Sequence, residues 1–263
     1  GSPAIALTDH GNMMAAFHFV KAALKADIKP IVGCEFNLCE DHENKKLKDD
    51  GYQTVLLAKN KNGYHNLAKL SSAAFTNGFY YVPRIDRELL HQYKEDLIAT
   101  TGGLWGEIPN AIINEGEANA EERFIWWKEE FGSDFYVELC RHGVEEEDYV
   151  NQVLLKFAKK HDVKYFASNN SYYSDKENAE AHDILLCVKD GNHQSQPKKY
   201  YGKRGREFRY GFPNDEFYLK SPEEMKQLFA DLPEAIETTQ EIVNKVDEKV
   251  PFIHPCVTFR KEA

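Results

Sequence analysis

The stretch Pro3-Ala4-Ile5-Ala6-Leu7-Thr8-Asp9-His10-Gly11-Asn12 decides the fold, because a short apolar run breaks off into a carboxylate, an imidazole and a glycine. Runs of the same kind recur at 5–8, 30–37, 54–58, 97–100, 135–139 and 164–168. Each is a few residues long and bounded by turn-forming or polar residues, which is how strands read. Between them, 63–75, 120–131, 148–161 and 178–188 carry apolar residues three and four apart, the helical period. Strands alternating with helices predict an α/β fold with a parallel sheet or barrel. Gly1 and Ser2 read as the scar of an expression tag, and an apolar run starting at Ala4 predicts that a leading element is missing.

The strand ends carry the chemistry. Asp9 and His10 follow the first run, Glu35 lies in the second, Glu138 and His142 close the fifth, and Asn169 and Asn170 close the sixth. In a (β/α) barrel such positions converge at the C-terminal face however far apart they lie in the chain. His65, at the start of a helix in Gly63-Tyr64-His65-Asn66-Leu67, is expected to join them. Imidazoles with carboxylates are ligands suited to zinc, manganese or iron. His18, His42, His91, His161, His193 and His254 stand outside this pattern and are read as structural, as are Cys34 and Cys140 beside the candidates. Glu138 is expected to be the ion-pair partner of a basic neighbour.

Composition narrows the class. The chain has 263 residues, 42% hydrophobic and 29% charged, enough for one large domain or two small ones. Mean hydropathy is -0.61, and no apolar stretch approaches the roughly 20 residues that span a bilayer. Thirty-three basic against 43 acidic residues give a formal charge of -10, which leaves only local contacts with nucleic acid. Cys34, Cys39, Cys140, Cys187 and Cys256 form no C-x-x-C pair and predict free, buried thiols in a reducing cytoplasm.

One local contact is legible. Residues 198–209 interleave Lys198, Lys199, Lys203, Arg204, Arg206 and Arg209 with Tyr200, Tyr201 and Phe208, a pattern able to hold phosphates and stack bases. Its glycines equally suit a plain surface loop. Of Trp126 and Trp127, one is expected in the core and the other against a neighbouring domain. Ser221-Pro222-Glu223-Glu224 has the form of a capping box opening a helix, and Leu232-Pro233 launches a second.

A resemblance joins these pieces. Thr8 to Asn12, the stretch Ile28-Lys29-Pro30-Ile31-Val32-Gly33-Cys34-Glu35, Gly63 to Leu67, Glu138-Leu139-Cys140-Arg141-His142-Gly143, residues 167–173, Ala181-His182-Asp183-Ile184-Leu185-Leu186, and Glu216-Phe217-Tyr218 with Glu223-Glu224-Met225 and Leu228-Phe229 occur in order. Together they resemble the polymerase-and-histidinol-phosphatase (PHP) domain at the N-terminus of bacterial DNA polymerase III alpha subunits. The resemblance spans residues 4–247; the last stretch, 250–263, matches nothing in it.

The resemblance implies a distorted (β/α)7 TIM-like barrel, here truncated at its N-terminus, whose metal site hydrolyses phosphoesters, in some polymerases as a 3′-5′ exonuclease. It divides the chain into the tag scar at 1–2, the barrel at 3–213, a helical linker toward the polymerase core at 214–250 and a tail at 251–263. Asp9, His10, Glu35, His65 and His142 take metal-ligand or neighbouring positions, with zinc or manganese as the ion of a partial site and magnesium in the parent polymerase domain. Two departures stand out. The family's opening His-x-His strand is absent, and where active members carry Thr-Asn-Asp-x-His-Tyr this chain reads Ser168-Asn169-Asn170-Ser171-Tyr172-Tyr173, so Asp and His become Asn170 and Tyr172. An amide and a phenol are poorer ligands than a carboxylate and an imidazole. The expected function is a fragment of a replicative DNA-directed DNA polymerase, serving as scaffold or as dock for a separate proofreading exonuclease, with DNA and replisome subunits as partners. An active metal-dependent phosphoesterase and a histidinol-phosphatase-like enzyme are the alternatives.

Overall fold

The computed structural model describes residues 2–202 and 205–247. In chain order these form β1 (Ala4–Leu7), α1 (Ala16–Lys25), β2 (Lys29–Leu38), β3 (Tyr52–Ala58), α2 (Lys61–Thr76), β4 (Arg84–Ile85), α3 (Arg87–Tyr93), β5 (Leu97–Thr100), α4 (Glu107–Asn114), α5 (Glu117–Phe131), β6 (Phe135–Cys140), α6 (Glu145–His161), β7 (Tyr165–Ser168), α7 (Ala179–Asp190), β8 (Lys198–Lys199), β9 (Arg209–Tyr210), α8 (Pro222–Leu228) and α9 (Pro233–Lys245). All six apolar runs are strands. Helix ends follow local chemistry: Asn60 caps α2 by accepting from the Gly63 amide at 3.0 Å, and Asp86 caps α3 by accepting from Leu89 at 2.9 Å. The α6 helix opens on four acidic residues and closes on Lys159, Lys160 and His161, matching its dipole. Ser221 and Glu224 form the capping box on α8, with Pro222 inside the first turn.

The main sheet runs β1-β2-β3-β5-β6-β7, with β4 beside β2. It curls around one face as an open barrel, with β1 and β7 as its end strands among the described residues. The expectation of an all-parallel sheet needs one correction: β3 runs antiparallel to both β2 and β5. Its connection from β2, residues 39–51, contains no helix, and only a crossover element would bring the chain back for parallel pairing.

Strand alternation sorts the core. Ile31, Leu57, Ile98 and Tyr136 point to the inner face, and Ile242 and Val246 at the end of α9 pack onto them. Cys34, Phe36, Leu56, Val137 and Leu139 point outward into the larger core beneath the helices, with Phe124, Trp127 and Phe157. Trp127 is the core tryptophan and donates to Glu107 at 2.8 Å; Trp126 is half-buried under the Arg87 guanidinium, 4.2 Å from its ring. At the base, Lys29 donates to the Val243 and Val246 carbonyls at 2.7 and 2.5 Å, and Lys59 and Lys245 share Asp134 at 2.6 and 3.0 Å. Part of the stretch expected as a linker is therefore packed into the base of the barrel.

Four cysteines, Cys34, Cys39, Cys140 and Cys187, are free and buried. Cys256, His254 and the tail at 251–263 lie outside the described residues.

Candidate metal centre

His10 and Glu35 meet where the chain leaves β1 beside β2. The turn is fixed by backbone bonds in both directions, Glu35 to the Asp9 carbonyl at 2.9 Å and Gly11 to the Glu35 carbonyl at 2.7 Å. Gly11 has φ +67°, and a Cβ there would stand 2.9 Å from the Pro83 ring, so both conformation and space call for glycine. His10 Nδ1 lies 2.5 Å from Glu35 Oε1. That contact, with the nearby charge of Asp9, raises the imidazole above its ordinary range despite partial burial. Any ion that takes these groups must displace that proton.

His142 lies just beyond β6 and is 1% exposed. Its ring stacks flat on Phe217, with centroids 4.4 Å apart, and its backbone carbonyl accepts from Asn214 at 2.7 Å. Glu147, in the first turn of α6, holds both His142 Nδ1 at 2.8 Å and the His142 amide at 2.7 Å. An ionised carboxylate only accepts, so the neutral ring held here is the Nδ1–H tautomer, in which Nε2 presents its lone pair. Cys140, His142 and Glu147 offer ligand atoms within 4.8 Å of one another. Burial and the charges of Glu138 and Glu147 push the Cys140 thiol far up, leaving it protonated and a weak donor in that state.

Glu138 departs from expectation. Among the described residues no base pairs with it; Ser168 donates to one oxygen at 2.6 Å and Thr100 to the other at 2.7 Å. The cause is strand parity, which points Glu138 inward to face the neighbouring strands β5 and β7. Burial raises its carboxyl, and the two hydroxyls pull it back in part.

Asn170 and Tyr172 belong to this end of the barrel. The Asn170 amide reaches the Tyr172 hydroxyl at 3.5 Å, and the Tyr172 ring packs 4.7 Å from Phe212. Desolvation, then the charge of Glu35, pushes the phenol up to about 12. It is neutral at physiological pH.

His65 is not brought to this rim. It is exposed on the first turns of α2, whose start packs against Asp96 just before β5, at the opposite end of the barrel. The antiparallel β3 is the reason, because its exit delivers the next helix to the other rim.

One buried atom shows how the residues suit an ion. Glu35 Oε1 is taken up by His10 Nδ1 at 2.5 Å, whereas His142 Nε2 has no hydrogen-bond partner among the described residues. An imidazole nitrogen left bare in a buried site is a donor that zinc or manganese accepts. The set fits an ion in part, because Asn170 and Tyr172 bring no charge.

The basic stretch needs its own correction. Arg209 is buried, donating to both Asp183 oxygens at 2.8 Å and to the Gln196 carbonyl at 3.1 Å, so it is unavailable to a phosphate. Tyr200 is in the core and the Tyr201 hydroxyl accepts from Asn110 and Asn114. Lys198, Lys199 and Arg206 are exposed, with Lys198 3.9 Å from Asp183. Lys203 and Arg204 lie outside the described residues.

Sequence reasoning missed Glu147, Asn214 and Phe217. A signal existed for Glu147 alone, an acid at a helix start five residues after a histidine.

The fold and rim together define an open α/β barrel with a metal-type donor set at the C-terminal ends of its parallel strands. The PHP domain profile matches residues 1–142, and the chain belongs to that family. Over nearly its whole length it is similar to DNA polymerase III alpha subunits. It is 43% identical to that of Borreliella burgdorferi (96% of this chain, 22% of the relative) and 39% to that of Thermus aquaticus (95% and 20%). With the Campylobacter jejuni subunit the identity is 36% (97% and 21%). The chain thus spans about a fifth of the length of these relatives.

Proposed function

We propose that this chain is the PHP region of a replicative DNA polymerase III alpha subunit, with a degenerate metal site and a chiefly structural role. The observation that carries the reading is the pairing of Asn170 with a neutral Tyr172 beside Glu35. The similarity to polymerase subunits along almost the whole chain supports the parent assignment. Nucleotide transfer, with its magnesium, belongs on this reading to the part of the longer protein outside this chain. DNA, replisome subunits and a separate proofreading exonuclease are the partners it implies, in the cytoplasm; among the described residues no helix is long and apolar enough to cross a membrane. The α8–α9 pair leads toward the polymerase core.

Zinc or manganese at this rim, with His142 Nε2 as one donor and His10 and Glu35 further along the same rim, would supply a Lewis acid and an activated water when bound. The protein's own part is clear without it: Glu147 fixes the His142 tautomer, and Ser168 and Thr100 hold Glu138 inward. An active metal-dependent phosphoesterase or 3′-5′ exonuclease is the second reading, favoured by the bare His142 Nε2. A histidinol-phosphatase-like enzyme draws no support from relatives that match across the chain.

The test uses the intact polypeptide. With zinc or manganese and no nucleotides it should leave labelled 3′ ends undigested, while Arg84→Met shortens the thermal half-life of its polymerase activity. Digestion of 3′ ends would establish the second reading instead.

A further inference from the structure

The loop that follows β2 takes part in a second set of metal-type donors, none of which belongs to the rim. Asp41, His42 and Asp86 bring one ligand atom each within 4.8 Å of one another. His42 lies in the loop and Asp86 between β4 and α3, so segments 44 residues apart in the chain meet here. The His42 and Asp86 side chains are only 15% and 10% exposed, and Asp41 stands at the surface. One imidazole and two carboxylates, with water in the fourth position, make up a zinc coordination set.

The hydrogen bonds leave room for the ion. Asp86 Oδ1 accepts from the Leu89 amide at 2.9 Å as the cap of α3, and Oδ2 accepts from the His42 amide at 3.1 Å. The same Oδ2 faces His42 Nδ1. Two facing lone pairs would repel, so without a metal Nδ1 carries a proton there. An ion bound to Nδ1 and Oδ2 replaces that one proton, which leaves to water, and both backbone bonds of the carboxylate persist. Asp41 Oδ1 accepts from the Glu43 amide at 3.0 Å, and its Oδ2 has no partner among the described residues.

The surrounding charge favours a cation. Residues 40–50 carry Glu40, Asp41, Glu43, Asp49 and Asp50 against Lys45, Lys46 and Lys48, and Lys48 is 3.3 Å from Asp50. Arg84, buried two residues before Asp86, is the opposing charge. Its donors are all turned to backbone, to the Gly78, Asp49, His42 and Asn44 carbonyls at 3.0, 3.1, 3.0 and 2.9 Å. Arg84 therefore holds the His42 main chain in place beside β4 and competes with an ion through its charge alone. The loop has need of an anchor, since residues 39–51 contain neither helix nor strand.

We propose that Asp41, His42 and Asp86 form a zinc site that staples the loop after β2 to the start of α3. It stands independently of whether the rim holds a metal.

The experiment is zinc titration of the chelator-stripped full chain, read by competition with a chromophoric chelator and by the ring-nitrogen shifts of His42. Zinc should move His42 Nδ1 from its protonated to its metal-bound position. His42→Gln should bind one zinc fewer than the parent. Asp41→Asn, a change at the surface, should weaken this zinc by at least about 10-fold, since a lost ligand costs no less than a lost outer partner of one. His142→Gln, which alters the rim, should leave the His42 shifts and their zinc dependence as in the parent. The parent's shifts and the surface variant decide the matter should His42→Gln not fold. A parent whose Nδ1 keeps its proton at saturating zinc, or an Asp41→Asn variant that binds zinc as tightly as the parent, would overturn the proposal and leave His42 and Asp86 as a hydrogen-bonded helix cap.

Discussion

Glu147 grips His142 twice, taking the ring proton at Nδ1 with one carboxylate oxygen and the backbone amide with the other. The geometry leaves Nε2 as a bare lone pair in a buried pocket. Replacing Glu147 by Gln keeps the volume and changes the proton. With its oxygen on the amide, the new NH2 would face Nδ1 and move the ring proton to Nε2. The expected result for Glu147→Gln is a folded protein whose zinc affinity falls about 10- to 100-fold. Competition against a chromophoric chelator reads the affinity, and the nitrogen shifts of His142 read the tautomer. Unaltered affinity with a switched tautomer would remove His142 from the ligand set.

Arg84 replaced by Met should destabilise the chain by at least about 3 kcal/mol, since four backbone carbonyls lose a charged donor at once. Urea unfolding measures it. A loss below about 1 kcal/mol would mean that water replaces the guanidinium at little cost.

Arg209 holds the Asp183 carboxyl below its ordinary range, outweighing the opposing effect of burial. A depressed folded-state value means that this pair's stabilisation is complete above the unfolded carboxyl's range, about pH 4, and is lost as pH falls through the folded value. The parent should therefore lose stability toward pH 3 more steeply than Asp183→Asn does, with the two converging at the acid end. Parallel urea midpoints across that window would show that the pair carries no such linkage.

Much of the barrel was legible because strands buried between a sheet interior and covering helices must be apolar and short, and six of them were. The capping box was legible because its two hydrogen bonds are local. The direction of β3 was not, since 54–58 is equally apolar whichever way it runs, and the misplacement of His65 followed from that. Arg209 and Asp183 lie 26 residues apart, and only folding shows that one charge cancels the other. The helices α1, α3 and α4 lie at 16–25, 87–93 and 107–114, where the apolar spacing is short and stands out less than in the four longer stretches. The placing of His10, Glu35 and His142 at strand ends was legible because strand ends are visible in sequence; the contact of Glu147 with His142 was not, because it depends on the turn that brings α6 back over β6.

The central claim is that the rim has lost part of its ligand set, so the decisive measurement is metal stoichiometry by elemental analysis of the intact natural polypeptide. It is made for the unmodified protein and for Asn170→Asp/Tyr172→His, each dialysed against zinc and manganese and assayed for digestion of 3′ ends without a separate exonuclease. The unmodified protein should hold fewer ions than the double variant and digest nothing, because an amide and a phenol held neutral at about 12 replace two charged or basic donors. A full metal complement in the unmodified protein, together with degradation of DNA ends, would contradict the account and make this barrel a working nuclease.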